Sequence, residues 1–155
     1  MHGANATGKP FIGGDAGNLL YRTLYDFDFP SAPVSRGPGD GLSLLESCLT
    51  NLRKCRPPDN KFIVSELNGC SRFLVHELAA PSVMVALGGI AHKAVVRALG
   101  RHQKDHVFGY GAQHALSDAQ TLIDSYHCGR YNLNTGRLSA AMFAQVFAAV
   151  RAHLA

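Results

Sequence analysis

The stretch PSVMVALGG, residues 81–89, constrains the fold more than any other. The apolar run from Val83 to Leu87 lies between Pro81 and the pair Gly88-Gly89. A short apolar run closed by such breakers predicts a buried strand. A helix is expected immediately afterwards, over Ile90–Leu99. Strand, glycine pair and helix make half of a parallel βα unit.

The rest of the chain repeats that alternation. The first fourteen residues are rich in Gly, Asn and Thr, without a period, and predict a loop. Leu19, Leu20 and Leu24 recur at helical spacing, with Tyr21 and Tyr25 beside them, and predict a helix over Ala16–Phe27. Asp15 stands where its N-cap would be. Residues 30–41 are a Pro- and Gly-rich loop. Leu42–Asn51 is apolar, and its second half predicts a buried strand. Residues 53–62 are a basic loop, because two prolines forbid regular structure there. A helix is expected from Ile63 to Ala80, with Leu67, Cys70, Phe73, Leu74 and Leu78 on one face. Residues 100–119 read as polar and irregular. Thr121–Tyr126 predicts a third strand that ends in His127. Ser139 is placed to cap a final helix to Leu154, with Phe143, Val146, Phe147, Val150 and Leu154 as its buried stripe.

Strands alternating with helices predict an α/β domain with a central parallel sheet. In such sheets ligands bind at the carboxyl ends of the strands. Asn51, Gly88-Gly89 and His127 fall there, so one site assembled from distant segments is expected. No internal repeat or linker divides the chain, which reads as a single domain over residues 1–155.

Composition narrows the class. A chain of 155 residues, 46% hydrophobic, is long enough for one real core. No apolar run approaches the roughly 18 residues of a membrane span. The start, MHGANATGKPF, lacks the pattern of a signal peptide, so an intracellular, cytoplasmic protein with no membrane partner is expected. The formal charge is +4. Arg53, Lys54, Arg56 and Lys61 cluster in one loop; Arg97, Arg101, His102 and Lys104 form a second group. Basic loops suit a polyanion, most often nucleic acid, although ordinary solubility explains the charge equally well. The four cysteines, Cys48, Cys55, Cys70 and Cys128, show no C-x2-C pair.

The most polar segment is SYHCGRYNLNTGRL, residues 125–138, between an apolar strand and an apolar helix. It joins HGANATGKPFIGGDAGNLLYRTLY, LTNLRKCRPPDNK, C-x2-FL and VMVALG in a fixed order. Together these motifs resemble the uracil-DNA glycosylase superfamily, in its iron–sulfur branch, and most closely family 5 (type B). The resemblance covers nearly the whole chain. It implies a three-layer α/β/α fold with a central parallel sheet. It also implies a monomeric, nucleoid-associated base-excision enzyme acting on uracil, and on other deaminated bases, in DNA.

Glycosidic hydrolysis in DNA requires the base to leave the stack, its anionic charge to be stabilised, and water to be supplied. By resemblance, Phe11 stacks on the flipped base; the ordinary alternative is a core phenylalanine. Asn51 reads the uracil edge through its amide, which both donates and accepts; alone it would be a turn residue. His127 donates to the uracil carbonyl as charge grows there, against the bland reading of a satisfied turn histidine. Asp15 orients the attacking water, or simply caps its helix. Asn5 is a further catalytic candidate and Gly3 lies near the substrate. Gly129, Arg130, Asn132, Asn134, Thr135 and Arg137 are expected along the DNA backbone. A solvated basic loop is the alternative for the two arginines.

The sequence also departs from that pattern. The branch holds a 4Fe-4S cluster on four thiolates. Cys55 and Cys70 match the downstream two, and the upstream pair has no counterpart here. The family's first strand and first catalytic motif also precede the position of Met1, so an N-terminally truncated domain is expected, with exposed sheet neighbours. Gly129 stands where a phosphate-contacting serine is usual, which predicts a weaker grip on DNA. Two alternatives follow: a catalytically impaired, nucleic-acid-binding remnant, and a nucleophilic role for Cys128 beside His127.

Overall fold

The structure, a computed structural model, describes residues 15–37, 39–52 and 72–155. These residues fall into two compact units. One comprises the chain up to Cys48 together with Tyr126–His153; the other runs from Leu49 to Ser125.

The second unit carries the sheet. Strands β1 (Val83–Leu87), β2 (Gln113–Ser117) and β3 (Gln120–Ser125) lie in the order β1-β3-β2. β1 pairs with β3 in parallel, from Val83 opposite Thr121 to Leu87 opposite Ser125. β3 therefore lies in the middle, and its composition fits that place. Leu122, Ile123, Asp124 and Ser125 are all fully buried, as a strand covered on both faces must be. β1 alternates half-buried and buried residues, and β2 buries only Leu116.

Helix α2 (Gly89–Ala98) follows β1 as the sequence predicts. Gly88 makes that reversal at φ 107°, a conformation that strains any side chain. Its N–H donates to the Ser125 carbonyl at 2.8 Å, and its carbonyl accepts from the His92 N–H at 3.0 Å. Val95 and Val96 of α2 then close on Met84, Ala86, Leu116 and Leu122, with Leu74 and Leu78 from helical residues 72–78. Each fully buried side chain of this kind stabilises by about 1.5–3 kcal/mol. The Gln120 amide ties the hairpin to the entry of β1. It donates to the Leu78 carbonyl at 2.8 Å and to that of Pro81 at 3.0 Å.

In the first unit, helix α1 (Asp15–Asp26) buries Leu20, Tyr21 and Leu24. It ends where Asp28 takes φ 59° and the Phe29 N–H reaches back to the Leu24 carbonyl at 3.1 Å. Asp tolerates that left-handed turn better than most residues. Helix α3 (Arg130–Asn134) is short, and α4 (Ala140–Leu154) is long. Ser139 caps α4 as expected, its hydroxyl accepting from the Met142 N–H at 3.1 Å. Phe143, Val146, Phe147 and Val150 form the buried stripe. The Phe147 ring meets Phe27, Phe29 and Phe143 with centroids 6.4, 6.3 and 5.1 Å away. Arg151 closes this aromatic cluster, lying 4.0 Å over the Phe29 ring and donating to the Phe27 carbonyl at 2.7 Å.

The α/β class holds, and four details change. First, β2 runs antiparallel to β3, so the sheet is mixed. Second, β2 arises inside the stretch read as irregular. Third, no strand forms among residues 42–52; only an isolated bridge joins Pro30 to Leu44. A strand exists by pairing, and among the described residues that apolar run has no ladder partner. Fourth, Leu154 and Phe73 are 42% and 48% exposed and leave their expected stripes. Among the described residues, no helix is long and apolar enough to cross a membrane.

Candidate active site

The polar segment that the sequence singles out forms one tightly bonded turn in the first unit. Tyr126 leaves the end of β3, and His127 follows at an exposed position. The Gly129 N–H donates to His127 Nδ1 at 2.9 Å. A nitrogen that accepts a hydrogen bond carries no proton, so the neutral ring holds its proton on Nε2. Desolvation holds the imidazole below its ordinary pKa, which favours that neutral form. The segment thus presents His127 Nε2 as a hydrogen-bond donor.

Gly129 makes this ring position possible. A Cβ there would lie 2.8 Å from His127 Nδ1 and 3.1 Å from Cε1, so any side chain forces the ring away. The glycine thus gives up the expected serine hydroxyl and gains a fixed imidazole.

The rest of the turn is held by its own polar groups. Asn132 Nδ2 donates to the His127 carbonyl at 2.7 Å. The Asn132 carbonyl in turn accepts from the Leu138 N–H at 3.1 Å, which fixes the exit of the loop. The Thr135 hydroxyl donates to the Tyr131 carbonyl at 2.8 Å. Gly136 ends α3 at φ 71°. The Arg137 guanidinium lies 4.5 Å over the Tyr126 ring. Arg130, Asn134, Thr135 and Arg137 are exposed. Tyr131 is 75% exposed between them, an aromatic surface that the sequence reading passed over. Its signal was present, since an aromatic among basic and amide residues is a common nucleic-acid contact.

His127, Gly129, Arg130, Asn132, Asn134, Thr135 and Arg137 are therefore brought together. Asn51 is an exposed coil residue of the other unit and does not end a strand, which corrects the expectation from sequence. Asp15 is the first residue of α1 rather than the residue before it. Gly3, Asn5 and Phe11 lie outside the described residues, as do Cys55 and Cys70.

A family model described as the Uracil DNA glycosylase superfamily matches residues 1–151. The chain belongs to this superfamily. A type-5 uracil-DNA glycosylase of Thermus thermophilus is 40% identical over 148 residues, covering 94% of this chain and 67% of that protein. A type-5 uracil-DNA glycosylase of Pyrobaculum aerophilum is 33% identical over 147 residues, covering 94% of this chain and 64% of that protein. A type-4 uracil-DNA glycosylase of Archaeoglobus fulgidus is 36% identical over 87 residues, 54% of this chain and 37% of that protein. The chain thus spans about two thirds of the type-5 proteins named here.

Within this glycosylase-superfamily chain, Cys128 is not presented as a free thiolate beside His127. It is buried, with its Sγ 3.6 Å from the Ala16 carbonyl. Burial pushes its thiol up to about 11, so it stays protonated at neutral pH. A nucleophile requires the thiolate, so burial counts against that role. Cys48 is exposed.

Proposed function

We propose that the chain is a uracil-DNA glycosylase domain that hydrolyses the N-glycosidic bond of a flipped-out uracil in DNA. The observation that carries this reading is the Nε2–H donor fixed by the Gly129-to-Nδ1 bond, on a chain whose relatives are named uracil-DNA glycosylases. Water adds to the sugar C1′ while the electron pair of the breaking bond leaves with the base. Negative charge then gathers on the uracil carbonyl oxygens. A neutral imidazole donor is suited to stabilise it without first surrendering a proton.

The other roles follow the resemblance. Phe11 stacks on the base, Asn51 pairs with its edge, and Gly3 borders it. Asp15 positions the water, and Asn5 is a further catalytic polar group. Gly129, Arg130, Asn132, Asn134, Thr135 and Arg137 hold the phosphates, and Tyr131 offers a stacking face. Cys55 and Cys70 would supply two thiolates to a 4Fe-4S cluster, which would act as a structural staple; no chemical step passes through it. The protein would work as a monomer on DNA in the cytoplasm, and deaminated bases other than uracil fall within the same chemistry.

The test is base release from a single-stranded oligonucleotide containing one uracil, read by alkaline cleavage of the abasic product. Parallel oligonucleotides carry other deaminated bases. Release that disappears in the Asn51→Ala, His127→Ala double variant supports the reading. DNA binding without release assigns the chain instead to a binding role.

A further inference from the structure

The second unit holds a polar cluster that the glycosylase chemistry does not use. Asp124, in the central strand β3, is 0% exposed. A carboxylate in that position is costly unless several donors surround it. Its Oδ1 lies 2.9 Å from Nδ1 of His92 on α2, and its Oδ2 lies 2.9 Å from Nε2 of His114 on β2. The Gly109 N–H also donates to Oδ2, at 3.3 Å.

One ring nitrogen of His92 is already committed to the backbone. Its Nε2 lies 2.8 Å from the His106 backbone carbonyl, which can only accept, so Nε2 carries a proton. Nδ1 is then the ring nitrogen turned toward the carboxylate, where a metal ion would take its lone pair and the carboxylate together.

We propose that His92, His114 and Asp124 form a binding site for a divalent transition-metal ion of the zinc class. The three ligand atoms lie within 4.8 Å of one another. Two imidazoles and one carboxylate are a donor set that zinc and its neighbours favour, with a further position left for water. His92 already has the outer-shell partner such ligands require, because the His106 carbonyl fixes its tautomer and ring plane. The Phe108 ring stands edge-on to His92 at 5.7 Å and shields the cluster on that side. His114, with a side chain 10% exposed, and the half-buried His106 ring 5.7 Å from it mark the side from which an ion enters. A bound ion would tie α2, β2 and β3 together, and none of the three ligands belongs to the proposed glycosylase set.

The experiment uses the full chain, stripped with a chelator, then titrated with Co2+ and with Zn2+. The expected result is about one equivalent of Co2+ with visible d–d absorption and no thiolate-to-cobalt charge-transfer band, displaced by Zn2+. The thermal unfolding midpoint should rise with Zn2+. His114→Ala, at the mouth of the cluster, and Asp124→Asn should each weaken binding by more than the roughly 10–100-fold cost of losing an outer-shell partner. If Asp124→Asn does not fold, His114→Ala alone decides. Absence of Co2+ binding overturns the proposal. So does binding unchanged in His114→Ala, or a spectrum dominated by thiolate charge transfer, which would place the ion on cysteines. Uracil release reports separately on the glycosylase reading, since His127 lies outside this cluster.

Discussion

The backbone N–H of Gly129 donates to Nδ1 of His127 at 2.9 Å, and the same glycine leaves the ring no room for a neighbouring Cβ, which would lie 2.8 Å away. One residue therefore sets both the tautomer and the place of the imidazole. Removing the ring by His127→Ala should lower kcat by roughly 10²–10³-fold with KM nearly unchanged, as for loss of one donor to a developing anion. Gly129→Ala should lower kcat by less, because the ring is displaced rather than lost. Single-turnover base release on both variants measures this.

The pH dependence follows from the same ring. Desolvation lowers the folded-state pKa of His127 below the ordinary 6.5. The neutral ring is the working form, so activity should hold through neutral pH and fall only as pH drops below that ordinary value. For stability the sign is fixed by linkage. As pH falls below 6.5 the unfolded chain takes up the proton first, so this histidine erodes stability on acidification and contributes nothing above both values. A pH–rate profile compared with that of His127→Gln isolates the group.

Cys128 should be inert. With its thiol at about 11 and its side chain buried, alkylation of the folded protein at neutral pH should leave it unmodified. Cys128→Ala should keep glycosylase activity within about threefold, since single changes at structural positions act mainly on stability. Mass mapping after iodoacetamide treatment and a rate assay check both statements.

The exposed arginines of the turn should act through salt. For single-stranded DNA each phosphate contact contributes about 0.7 to the slope of log affinity against log salt concentration. Arg130→Ala and Arg137→Ala should each flatten that slope by about this amount, and Tyr131→Ala should weaken binding with the slope unchanged. Fluorescence anisotropy over a salt series separates the two kinds of contact.

The sequence revealed those elements whose burial pattern is local. Val83–Leu87 between its breakers, the α4 stripe and the Ser139 cap all needed only neighbouring residues to be read. β2 escaped because an edge strand that buries one side chain, Leu116, shows no alternation strong enough to see. Residues 42–51 misled because apolar character supplies no partner strand. The turn around His127 was legible from its dense polar residues, although the reason for Gly129 needed the ring position. The His92–His114–Asp124 cluster was not legible, since residues 32 and 10 positions apart in sequence meet only through the order of the strands.

The central claim is that His127 offers its proton from Nε2. Nitrogen-15 NMR of the imidazoles measures this directly, with His127→Gln assigning the signal among the eight histidines. The expected result at neutral pH is a pyridine-type Nδ1 shift and a pyrrole-type Nε2 shift for His127. A proton found on Nδ1 instead would contradict the Gly129 hydrogen bond and, with it, the catalytic role assigned to the ring.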